Sequence, residues 1–135
     1  MIFQKWIPTG NLGNAYDVEN ITWGNTISFT LAADKNRAAQ DNIHCFCLEW
    51  NTSDIIACNM SDETYRADCW DLDFENNGRF YTSKHSDYIE AFQHKSPLFP
   101  ENAIHFLIVG TNTIVDVLAK AYPTVRIIDE QIPAL

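Results

Sequence analysis

The sequence predicts a single α+β domain over residues 1–135, built on a mixed, mainly antiparallel sheet with two or three helices chiefly on one face. Three observations carry that expectation. Short runs with an apolar side chain at every second position dominate the first two thirds, which is the period of a half-buried strand. Clusters of Gly, Pro, Asn, Asp and Ser separate those runs, as turns require. From Ser86 onward the period lengthens, and the final third reads as a strand-helix-strand unit, right-handed if its two strands are parallel.

Taken in order, Ile2 to Ile7 reads as a short strand closed by Pro8-Thr9-Gly10. Gly10-Asn11-Leu12-Gly13-Asn14 is a loop; neither a Lys-Ser/Thr pair nor a helical pattern follows it, so it is not a phosphate cradle. Tyr16 to Thr22 is the next strand and Trp23-Gly24-Asn25 its turn. Thr26 to Leu31 alternates cleanly, with Ile27, Phe29 and Leu31 inward and Thr26, Ser28 and Thr30 outward. Ala32 to Asn42 is either a loop or two turns of helix. Ile43 to Trp50 is apolar on both faces, with His44, Phe46, Leu48 and Trp50 against Ile43, Cys45 and Cys47, and so belongs inside a sheet. Asn51-Thr52-Ser53-Asp54 then turns the chain into Ile55 to Met60; a tight hairpin there pairs Trp50 with Ile55 and sets Cys47 opposite Cys58.

Trp70 to Glu75 alternates strictly, placing Trp70, Leu72 and Phe74 toward a core and Asp71, Asp73 and Glu75 toward water. Asn77-Gly78 supplies the two positive-φ residues of a type I′ turn, and Arg79 to Thr82 is the returning strand, with Phe74 opposite Tyr81 or Phe80 according to turn length. Ser86 is the expected N-cap of a helix with Asp87 and Glu90 in its first turn and Tyr88, Ile89 and Phe92 as its apolar stripe; Pro97 bounds it. Ala103 to Val109 is a buried strand, and Gly110 to Thr113 a turn. Ile114, Val115, Val117, Leu118 and Ala121 predict the buried face of a second helix, with Asp116 and Lys120 facing water, ended by Pro123. Val125 to Ile128 is the last strand.

The chain of 135 residues is 46% hydrophobic and 13% aromatic, enough to fold around its own core. Its net charge of −9 disfavours nucleic acid and anionic lipid and favours a basic partner. The charge is uneven. Residues 61–75 set Arg66 against Asp62, Glu63, Asp68, Asp71, Asp73 and Glu75, so more than half of the imbalance falls in one ninth of the chain. No apolar run reaches the ~18 residues of a membrane span. Met1 to Trp6 lacks the apolar run and cleavage site of a signal peptide, so the expected location is the cytoplasm.

Chemistry-bearing patterns are sparse. Cys45, Cys47, Cys58 and Cys69 contain no C-x-x-C pair, which speaks for reduced, hydrophobe-like cysteines over a metal site. His44 and His105 lie in expected buried strands, where a hydrogen-bonded core histidine is the simpler reading, and Ser86 after His85 is explained by capping. Asp71 and Asp73 form a D-x-D pair that could serve a small enzyme or metal domain with a histidine or the cysteine group. Alternation along a solvated strand yields the same pattern without function. No nucleophile elbow, P-loop or dinucleotide fingerprint occurs, and no cofactor or metal is expected.

The acidic row suggests a surface instead. Alternate residues of a strand stand ~6.6–6.8 Å apart, near the spacing of successive phosphates on a nucleic-acid strand. Asp71, Asp73 and Glu75, with Asp62, Glu63 and Asp68, therefore suit a basic cleft shaped for nucleic acid, and Tyr65, Tyr81 and Trp50 are the candidate aromatic anchors. In this acidic, aromatic-backed character, the chain resembles bacterial toxin-immunity proteins. That resemblance implies a non-enzymatic inhibitor that occludes the active site of a cognate basic toxin, such as a nuclease.

Overall fold

The computed structural model describes residues 3–34, 42–70, 72 and 79–129. Its strands are β1 (Gln4–Lys5), β2 (Tyr16–Trp23), β3 (Thr26–Ala33), β4 (Cys45–Asn51), β5 (Ile55–Asp62), β6 (Phe80–Ser83), β7 (Ile104–Val109), β8 (Thr113–Ala119) and β9 (Thr124–Asp129). Among the described residues there is one α-helix, α1 (Asp87–Gln93), with 3-10 turns at Thr52–Asp54, Glu63–Tyr65 and Ala67–Cys69. The strands form two antiparallel sheets, a five-stranded one in the order β1-β6-β7-β8-β5 and a four-stranded one in the order β2-β3-β4-β9.

The sheets stack through the alternating side chains that define them. Ile27, Phe29 and Leu31 from β3 and Phe46, Leu48 and Trp50 from β4 meet Phe80, Ile104, Phe106, Ile108, Val115 and Val117 of the five-stranded sheet in one continuous core. The outer face of the five-stranded sheet is also covered. Ile89 of α1 packs with Ala103 and Leu118, while Leu72 and Cys69 pack with Tyr81, Leu107, Val109 and Ile114. Burial on both faces explains why β7 and β8 read as near-continuous apolar runs, interrupted by His105 and Asp116.

Several expectations hold. The domain is mainly antiparallel α+β, β3 buries Ile27, Phe29 and Leu31 completely, and β4 is interior, between β3 and β9. Ser86 caps α1, its Oγ accepting the Ile89 N–H at 3.2 Å. Others are corrected. Instead of one mixed sheet there are two antiparallel sheets, and instead of two or three helices there is one α-helix among the described residues. The expected second helix is strand β8, in hairpin with β7, so the C-terminal unit is not strand-helix-strand and β9 joins the other sheet antiparallel to β4. Thr113, Ile114, Val115 and Val117 are β-branched residues, whose stiff χ1 suits a pleated surface better than a helix.

The turn at Thr52–Asp54 does not fold β5 back on β4; it carries the chain to the other sheet. Cys47 therefore pairs with Thr30 and Arg126, and Cys58 with Val117. The crossing is fixed beside the one from β8 to β9, since Lys120 N–H bonds Asp54 O at 2.9 Å and Trp50 Nε1–H bonds Ala121 O at 2.9 Å.

At the other end of the stack Asp17 of β2 clasps the β7–β8 turn, its Oδ1 accepting the N–H groups of Asn112 and Thr113 at 3.2 Å each. Gly110 sits under this clasp: a Cβ there would lie 2.5 Å from Asp17 Oδ1 and 2.6 Å from Thr113 O. Gly110→Ala is accordingly expected to cost about 1–3 kcal/mol, the usual range for overpacking, as a lower urea midpoint at unchanged slope. A neutral result would show that the clasp yields freely.

Candidate functional site

The Asn77-Gly78 turn and the acidic positions Asp71, Asp73 and Glu75, with Phe74, lie outside the described residues. The flanks of the expected hairpin are described and correct it. Both edges of β6 are occupied: Tyr81 pairs with Lys5 on one side and Leu107 on the other. Trp70 follows a 3-10 turn with αR backbone and is 60% exposed, not a core residue. Tyr81 is 1% exposed and Trp50 also lies in the core, so neither is a surface anchor.

The remaining candidates gather on residues 60–70. Asp62 caps the 3-10 turn Glu63–Tyr65 by accepting the Thr64 N–H at 2.9 Å, and that bond holds its carboxyl below the usual range. Tyr65 is 83% exposed, and Met60 and Trp70 are also exposed. Beneath them Arg66 acts as a staple. Its Nε and Nη2 bond the two Asp68 oxygens at 3.0 Å each, while Nη1 reaches Asp116 Oδ2 at 2.5 Å and Ser61 Oγ at 3.0 Å. Burial works against the Arg66 charge, but the bonds to Asp68 and Asp116 outweigh it and raise its pKa.

Asp116 is the surprise of the site. Expected to face water on a helix, it is 3% exposed on β8. β7 and β8 pair Leu107 with Asp116, so His105 lies two residues along on the same face. His105 Nε2 is 2.7 Å from Asp116 Oδ1, and His105 Nδ1 is 2.7 Å from Ser86 Oγ. The rings of Phe3 and Tyr88 pack against the imidazole, each 5.1 Å between centroids. Burial alone would raise the Asp116 pKa, but the hydrogen bonds from His105 and Arg66, and their charges, hold the carboxyl below its usual range.

Ser61, Arg66, Asp68, Ser86, His105 and Asp116 line a cavity of about 680 Å³ whose apolar walls include Phe3, Leu72, Tyr88 and Ala91. Burial pushes the Cys58 thiol up to about 11, with the Asp116 charge adding. Burial likewise lifts Cys69 to about 12, with Arg66 opposing and Asp68 and Asp116 assisting. Both thiols are protonated at neutral pH and lack the thiolate that a ligand or nucleophile needs. The four cysteines lie on β4, β5 and a 3-10 turn, on both sheets, and do not form one cluster. Among the described residues no three His, Cys, Asp or Glu side chains are placed to hold a metal ion, and no helix is long and apolar enough to cross a membrane.

Sequence reasoning singled out Asp62, Glu63, Tyr65 and Asp68, which the structure places together on residues 60–70, but missed Arg66 and the relation of Ser86, His105 and Asp116. The usable signal was a lone aspartate in an apolar run, which demands a partner once the run is read as a strand. Compared with protein-family models, curated proteins and solved structures, the chain matches none.

Proposed function

We propose that this chain is an acidic binding protein of the immunity type, which neutralises a basic partner in the bacterial cytoplasm by covering its active site. One observation carries the reading: Tyr65 and Trp70 stand 83% and 60% exposed among Asp62, Glu63 and Asp68, on a segment that Arg66 staples to the sheet. Exposed aromatics within a charged rim are the usual anchors of tight interfaces. Pre-ordering by Arg66 lowers the entropy lost on association. The acidic charge of residues 61–75 would speed encounter with a basic cleft. Asp71, Asp73 and Glu75 belong to the same proposed surface, and binding is stoichiometric rather than catalytic.

The test pairs this chain with any basic protein found to be encoded beside its gene. Co-expression is expected to relieve that protein's toxicity and to yield a one-to-one complex that weakens as salt rises. Tyr65→Ala with Trp70→Ala is expected to raise Kd by roughly 10³-fold, two anchors at about 2 kcal/mol each. Asp71, Asp73 and Glu75 changed together to Lys should slow association. Full protection by the Tyr65/Trp70 double variant would sink the proposal.

A further inference from the structure

The buried polar line under the staple has more order than a helix cap needs. Capping accounts for one bond at Ser86, from the Ile89 N–H. It does not account for the 2.7 Å contact to His105 Nδ1, nor for a carboxylate 2.7 Å from the opposite ring nitrogen. Proton logic orders the three groups. An ionised Asp116 accepts only, so Nε2 must carry the hydrogen that it faces. In the uncharged ring the lone pair then sits on Nδ1, aimed at Ser86. The serine hydroxyl donates to Nδ1 while its oxygen accepts from Ile89. Serine, imidazole and carboxylate in this sequence are recognised as a nucleophilic relay by geometry and role, not by chain order.

The surroundings supply access. Ser86, His105 and Asp116 all line the cavity of about 680 Å³, which is the size of ordinary small-molecule sites. Phe3, Leu72, Tyr88 and Ala91 make its walls apolar, while Asp68 and Asp87 also line it and disfavour anions. A network serving only stability has no need of a cavity beside its hydroxyl.

We propose that Ser86 is a nucleophile activated by His105, with Asp116 as the positioning residue, and that the cavity takes small uncharged carboxylic esters with an apolar acyl group. Ser86 Oγ adds to the ester carbonyl carbon as His105 Nδ1 takes the hydroxyl proton. The bond to the alcohol oxygen then breaks, and that oxygen leaves with the proton from Nδ1. Water attacks the acyl-serine, passing its proton by Nδ1 to Ser86 Oγ as the carboxylic acid departs. No electrons are exchanged and water is the only co-reactant. The relay goes beyond the binding reading and does not depend on it.

The experiment treats the folded wild-type chain with an alkyl fluorophosphonate and follows intact mass and peptide maps. A 4-nitrophenyl butyrate assay runs in parallel. One phosphonyl group on Ser86 is expected, together with ester turnover that His105→Gln lowers by roughly 10²–10⁴-fold. Ser86→Asn retains a side-chain oxygen able to cap α1 and is expected to lose both adduct and turnover while keeping the wild-type circular dichroism. Folded wild-type protein that takes no group on Ser86 overturns the proposal. So does labelling or turnover that persists in Ser86→Asn.

Discussion

Asp116→Ala is expected to lower folding stability by about 3–5 kcal/mol, the range for breaking a buried ion pair by removing one partner. The carboxylate is almost wholly buried and is bonded by Arg66 and His105. Its removal leaves Arg66, whose side chain is 17% exposed, with the solvent-facing Asp68 as its one remaining ion-pair partner among the described residues. Urea denaturation at neutral pH measures the loss. A change below about 1 kcal/mol would rank the cluster with surface pairs.

The same carboxylate has a pH signature. Hydrogen bonds and charge from His105 and Arg66 outweigh burial and depress the folded-state pKa of Asp116. A depressed pKa means that the contribution is complete above the unfolded value of about 3.9 and is lost as pH falls through the folded value. The Asp68 carboxyl, lowered chiefly by its Arg66 bond, acts in the same direction. The stability gap between wild type and Asp116→Asn should therefore be widest at neutral pH and close below about pH 4. Cys58, Cys69 and Tyr88 also face Asp116, but burial keeps all three protonated across that window.

Phe106→Ala is expected to cost about 3–5 kcal/mol as well, by a different route. Phe106 is fully buried between the sheets, with the rings of Trp6, Trp50 and Tyr122 each 5.2 Å away in edge-to-face contact. Truncation removes all three ring contacts and leaves a cavity between the sheets. Thermal unfolding should shift down by roughly 12–20 °C for a chain of this size. A shift of only a few degrees would mean that the two sheets are not joined by this aromatic cluster.

What could be read from the chain divides by how local the cause is. The alternation of Ile27, Phe29 and Leu31, the Ser86 cap and the run from Ala103 to Val109 are set by neighbouring residues, and all were legible. Ile114 to Ala119 was not. A strand buried on both faces satisfies a helical stripe equally well, and only the β-branched content favoured the strand. That misreading turned Asp116 outward and hid its partners. Arg66, Ser86 and His105 reach Asp116 through sheet pairing and a packed helix, which no spacing in the chain announces. The solvent exposure of Asp62, Tyr65 and Asp68 was legible because charge and solvation are properties of the residues themselves.

The pairing of β4 with β9 has a consequence for synthesis. β4 emerges from the ribosome long before Thr124–Asp129, and strands β5 to β8 are all translated between them. At about 5–20 residues per second, one edge of β4 waits several seconds without its partner. That strand carries Phe46, Cys47, Leu48 and Trp50, the kind of open apolar edge on which nascent chains aggregate. The nascent protein is therefore most vulnerable just before its final strand closes the four-stranded sheet.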